Sequence, residues 1–121
     1  MPVAALLLVS WSLTAYGATR ERPVPVKPGV YTFQYRDAEF RQRPGTPVKV
    51  RIRGRHITVV NEKAAGPFPA GVIEEATLMW HAKSRKWILG DTREDRDADD
   101  VGGCSGGPLT IDFKNKVIWF C

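Results

Sequence analysis

Apolar and polar residues alternate most clearly between Pro47 and Asn61. Val48, Val50 and Ile52 are interleaved with Lys49, Arg51 and Arg53, and Ile57 and Val59 resume the pattern after Gly54-Arg55. A period of two marks a half-buried strand. Glycine accepts the positive φ that the first corner of a type II′ turn demands. The segment therefore predicts a hairpin with Ile52 opposite Ile57 and Val50 opposite Val59, all on one face. Val30 to Tyr35 alternates as well and is rich in aromatic and β-branched residues, which predicts another strand. Val72 to His81 and Trp87 to Gly90 predict a second hairpin around Lys83-Ser84-Arg85, its register open because loops of four or more residues fit equally. Pro108 to Phe113 and Val117 to Cys121 predict a third around Lys114-Asn115-Lys116. Loops of two and three residues both suit that turn and give Ile111 different partners.

Between these runs, residues 36–47 are polar and marked by Pro44, Gly45 and Pro47, and residues 64–71 read as a loop. Residues 91–105 form an acidic, glycine-ended excursion with room for one helical turn. No long segment carries helical period. Six or seven short strands separated by turn signals predict an all-β fold, a small antiparallel meander. Closing or curling the sheet into a barrel removes exposed edges; a two-sheet sandwich is the alternative.

The two ends add compartment. Val3 to Val9 is a short apolar core, and Ala15 and Gly17 are small residues where a signal peptidase cuts, so residues 1–17 read as a signal peptide. No Lys or Arg precedes that core, and no cysteine follows it to carry a lipid anchor. Removing it leaves 104 of the 121 residues, enough for one hydrophobic core. Residues 18–29 hold Pro23, Pro25 and Pro28 and read as a Pro-rich lead-in, and residues 30–121 as a single β domain. Cys104 and Cys121 are the only cysteines and enclose 16 residues. In an oxidising compartment such a pair closes, and the bridge pins the last predicted strand. The expected location is periplasmic or secreted.

Charge is uneven along the chain. Residues 18–63 hold 11 basic and 4 acidic residues, a net of +7, and residues 64–121 hold 7 and 9, a net of −2. The basic part concentrates in Lys49, Arg51, Arg53 and Arg55. The first three project together from the face opposite Val48, Val50 and Ile52, a stripe suited to an anionic partner.

Other constellations are weaker. Trp80, Trp87 and Trp119 are candidates to line a ligand pocket. Asp95, Asp97 and Asp99 alternate like the start of a calcium loop, but Asp100 stands where an EF-hand turns on glycine and Gly106 where its bidentate glutamate belongs. A solvated or arginine-paired loop is the simpler expectation for residues 91–100, and no metal or cofactor site is expected. Gly103-Cys104-Ser105-Gly106-Gly107-Pro108 resembles the Gly-Asp-Ser-Gly-Gly-Pro segment around the nucleophile of trypsin-like serine proteases, with Cys104 in place of the aspartate. The resemblance covers six residues and implies Ser105 as nucleophile, with a histidine as its base. Neither His56 nor His81 lies in that family's histidine motif, so the glycines read as a tight turn beside a disulfide. Gly29-Val30-Tyr31 is similar to the Gly-X-Trp opening of lipocalin-type barrels, over three residues only.

These readings predict a non-enzymatic, exported binding module that recognises an anionic polymer or an envelope or secreted protein, in the manner of an inhibitor or immunity protein. Nucleic acid is an unfavoured partner outside the cytosol. The alternatives are a barrel carrier of a small apolar ligand and, more remotely, a hydrolase using Ser105 with His81.

Overall fold

Seven strands follow one another in the order the alternation predicts: β1 (Gly29–Asp37), β2 (Thr46–Arg53), β3 (His56–Asn61), β4 (Gly71–His81), β5 (Lys86–Gly90), β6 (Leu109–Asp112) and β7 (Val117–Phe120). The computed structural model describes residues 22–64 and 67–121; the signal-peptide expectation for residues 1–17 lies outside them. Each strand pairs antiparallel with the next, and β1 pairs with β7 to close a barrel. That closing pair is parallel, so the expected antiparallel meander closes into a mixed barrel. The reason is counting: in an up-and-down order with an odd number of strands, the first and last point the same way.

The β2–β3 hairpin has the predicted register, Ile52 against Ile57 and Val50 against Val59. Gly54 lies at φ 61 and Arg55 has no positive φ, as a type II′ turn requires. The β4–β5 turn spans four residues, His81 pairing with Lys86. Between β6 and β7 the loop is also four residues, 113–116, because Asp112 pairs with Val117. The shorter loops expected there are corrected, and Ile111 faces Ile118. Asp112 explains the difference: its carboxylate accepts the Asn115 backbone N–H at 3.0 Å and the Asn115 side-chain N–H at 2.8 Å, which fixes the longer turn.

Alternation turns one set of side chains inward. Phe33, Val48, Val50, Ile52, Ile57, Val59, Leu78 and Ile118 are 2% exposed or less and pack into a single interior cluster with Tyr35, Trp87, Leu89 and Ile111. Burying an aliphatic side chain contributes about 1.5–3 kcal/mol, and this interior is the principal source of stability. A bulge between Val59 and Val60 shifts the β3–β4 register. It sets Val72 beside Val60, where Val72 is 61% exposed, while Glu74, the last regular pair before it, faces the inward-pointing Val59.

Two segments cover the outside of the wall. The 91–108 excursion, with a 3₁₀ turn at Arg93–Asp97, lies over β4 and β5. Beneath it Met79, His81 and Ile88 are buried although they face away from the interior cluster. The excursion is held by Asp95, whose carboxylate accepts the backbone N–H groups of Asp91 and Thr92, and by the Cys104–Cys121 disulfide to the end of β7. Residues 38–45 fold back over β1, with Gly45 against the outward side chains of Gln34 and Arg36. The described part of the Pro-rich lead-in, from Arg22 on, is also structural. Val24 and Val26 pack on the interior cluster, and the Tyr31 hydroxyl donates to the Lys27 carbonyl.

Candidate functional site

Every second connection of an up-and-down barrel falls at the same end. The turns β2–β3, β4–β5 and β6–β7 therefore share one rim with the lead-in into β1. This turn end carries Arg53, Arg55, Arg85, Lys86, Lys114 and Lys116. Cations from both halves of the sequence thus meet, although the linear charge pattern set them in opposite camps.

The predicted basic stripe is partly assembled. Lys49, Arg51 and Arg53 stand on the outer face of β2, and cross-strand pairing sets Val30 beside Arg51 on one side and Thr58 on the other. Lys49 Nζ donates to Thr32 Oγ1 at 3.0 Å, and Arg51 and Arg53 are exposed. Beside Arg53, His56 Nε2 lies 3.5 Å from the Glu75 carboxylate, both side chains more than half exposed. Arg55 does not join the stripe. It sits in the turn, donates to the Arg22 and Leu78 carbonyls, and lies 5.9 Å from the centre of the Trp87 ring. It fastens the lead-in across the barrel end.

Trp80, Trp87 and Trp119, distant in sequence, line one cleft of about 620 Å³ at the turn end. Trp80 and Trp87 meet edge to face at 5.6 Å, and Phe113 continues the wall at 6.0 Å from Trp87. Pro25 and Val26 form part of the lining, and Arg85, Lys86 and Lys114 supply its cations. Asp112 is the acid in the lining. Burial raises its carboxyl, but hydrogen bonds from Asn115 and Lys114 outweigh that and hold it below its ordinary value. Outside the wall, Trp119 lies under two guanidinium groups, Arg41 at 4.5 Å and Arg36 at 5.1 Å. The barrel interior itself is filled by side chains.

The opposite end presents a smaller, more polar opening of about 410 Å³ lined by Glu74, Asp91 and Asp95. Burial, with the Asp91 charge adding to it, pushes the Glu74 carboxyl up. Burial and then Glu74 push the Tyr35 phenol up to about 12.

The remaining candidates are committed elsewhere. Asp99 pairs with Lys83 at 3.3 Å and Asp95 caps the 3₁₀ turn, so these carboxylates serve the excursion's own fold. Among the described residues, the one group of three metal-type donors within 4.8 Å is Glu39 with Cys104 and Cys121, whose thiols are spent in the disulfide. His81 is buried, with Nε2 2.7 Å from the Ala98 carbonyl and Nδ1 2.7 Å from Ser84 Oγ. A carbonyl only accepts, so Nε2 carries the proton, and Nδ1 accepts from the Ser84 hydroxyl and backbone. Both ring nitrogens are thereby engaged, and the Ser105 hydroxyl accepts from the Gly107 N–H. Comparison with known proteins brought no match: no family model, no curated protein and no solved structure matches the chain.

Proposed function

We propose that this protein is a non-enzymatic binding module of an exported compartment, which docks an anionic partner on the outer face of β1 to β3. The observation that carries this reading is the distribution of cover. The excursion lies over β4 and β5 and residues 38–45 lie over β1 near Gln34 and Arg36, while Lys49, Arg51 and Arg53 stand in a row on a stretch of wall that no described loop covers. Val30, 60% exposed, sits beside Arg51 and flanks the row with apolar surface. Charges beside exposed apolar contacts suit a partner that is steered electrostatically and then packs. The partner class is an anionic polymer or the acidic face of an envelope or secreted protein. The disulfide supports an oxidising compartment.

The test uses immobilised heparin as a polymeric anion, alongside a pull-down from envelope extract. The Arg51→Ala, Arg53→Ala double variant should associate more slowly and elute at lower salt, with a shallower salt dependence, because rim charges act chiefly on encounter. Heparin retention and capture of the extract partner both unchanged from the parent protein would make this the wrong surface. Loss of the extract partner with heparin retention unchanged would point to a protein rather than a polymer.

A further inference from the structure

The tryptophan cleft at the turn end is a different surface from the β2 face, and its chemistry is legible by itself. At about 620 Å³ it falls in the size range of small-molecule sites, roughly 300–1,000 Å³. Three kinds of ligand can be weighed against its lining. A neutral apolar molecule would satisfy Trp80, Trp87 and Phe113 but leave Arg85, Lys86 and Lys114 without countercharge at the rim. A small inorganic ion would do the reverse and leave the aromatic wall wet. A cationic ligand would seek the π-faces, yet it would meet the like charge of the protein's own guanidinium groups beside them. Arg22 lies 3.9 Å over Trp80, and Arg41 lies 4.5 Å over Trp119. Asp112, the acid in the lining, has both carboxylate oxygens engaged by Asn115, so it offers a cation little. The lining is left with three cations around an aromatic wall.

We propose that this cleft is a binding site for a small amphiphilic anion, a molecule with an apolar body and one carboxylate or sulfonate head. The body lies along Trp80, Trp87 and Phe113 with Pro25 and Val26 of the lead-in against it, and the head meets Lys86, Lys114 and Arg85 at the rim. The site is a mouth rather than a lumen, since side chains fill the barrel interior. Arg55 takes part indirectly, by tying the lead-in that supplies one wall to the Arg22 carbonyl.

The probe is anilinonaphthalene sulfonate, an apolar ring system with one anionic head, followed by its own fluorescence and by quenching of the tryptophans. Saturable binding at one site per chain is expected. Dodecanoate should displace the probe, and dodecyltrimethylammonium should displace it poorly. The Lys86→Glu, Lys114→Glu double variant should bind the probe about tenfold more weakly, since it loses charge-assisted contacts. Its circular dichroism and cooperative melt should match the parent, because both side chains are exposed. High salt should weaken the probe in the parent protein too, a readout that needs no variant. The Arg51→Ala, Arg53→Ala variant should bind the probe as the parent does, so failure here and failure of the β2 surface are separable. Non-saturable binding, equal displacement by the cationic detergent, or an unchanged affinity in the charge-reversed protein would overturn the proposal.

Discussion

Glu74 is the residue whose chemistry is most at odds with its position. In regular register with Ala76 and Leu78, it pairs with Val59 on the inward side, near Tyr35 and facing the charge of Asp91. Burial first, and Asp91 second, raise its carboxyl above the ordinary 4.5. The folded state therefore holds this proton more tightly than the unfolded chain does. By linkage, its stabilising contribution is complete below pH 4.5 and is lost as pH rises through the raised folded value. Replacing the charge by an amide should remove that loss. Glu74→Gln is expected to melt at a higher temperature than the parent at neutral pH, with the two curves converging in acid. Its Tyr35 phenol should also ionise below the parent's value of about 12, because one cause of that elevation is gone. Thermal melts across pH and an ultraviolet tyrosine titration read these effects separately. A Gln variant less stable than the parent at neutral pH would show that the carboxylate makes a favourable contact there. The period of two through Ala76 and Leu78 puts Glu74 on the inward side, but the bulge at the next pair, which ends that register, is not legible in the alternation.

Strands were legible where a turn residue and cross-strand pairing spoke together, as at Gly54 with Ile52 and Ile57. They were less so at β6–β7, where the loop length depended on the Asp112–Asn115 hydrogen bonds rather than on any hydrophobic count. The excursion over residues 91–108 was visible as an acidic, glycine-ended segment, but its role as cover was not. Met79, His81 and Ile88 sit on the outer side of β4 and β5, and only tertiary contact tells that side from a solvated one. The string that resembles a protease segment finds its physical reason here. Gly107 passes so close to the Asp100 carbonyl that a Cβ would stand 2.0 Å from that oxygen, and the Gly102 N–H donates to the Pro108 carbonyl at 2.7 Å. Gly107→Ala should therefore push the excursion off the wall and destabilise the fold by about 1–3 kcal/mol, the range for overpacking. Urea unfolding measures the loss. Amide exchange should locate it under the excursion, at Met79 and Ile88, and an unchanged denaturation midpoint would show that the segment yields without consequence.

At the scale of the molecule, closure decides what is firm and what is weak. The up-and-down order explains why the predicted stripe and the tryptophans, scattered along the chain, reach neighbouring surfaces, and why sequence halves of opposite net charge share one cationic rim. Spacing alone could nominate Lys49, Arg51 and Arg53, because they share one strand. The three tryptophans were pocket candidates by residue type, but only the closed barrel shows that Trp80, Trp87 and Trp119 line one cleft. The closing seam is β1 with β7, a parallel pairing from Gln34–Val117 to Asp37–Phe120, supported by the Gln34 N–H to the Lys116 carbonyl and the Ala38 N–H to the Phe120 carbonyl, both 2.8 Å. Parallel pairs are slightly less stable per residue than antiparallel ones, and this one is four residues long. The disulfide sits at its far end and ties the chain just past β7 to the excursion. Cross-linking a loop of this length restricts the unfolded chain by about 3 kcal/mol in the chain-entropy account. The Cys104→Ser, Cys121→Ser double variant should lose a comparable amount of stability in urea. Exchange protection should then fall first in β7, the second half of β1 and the excursion, while the β2–β3 hairpin keeps its own. A loss spread evenly over all seven strands would mean that the seam unfolds only with the whole barrel, and that the bridge acts on the unfolded chain alone.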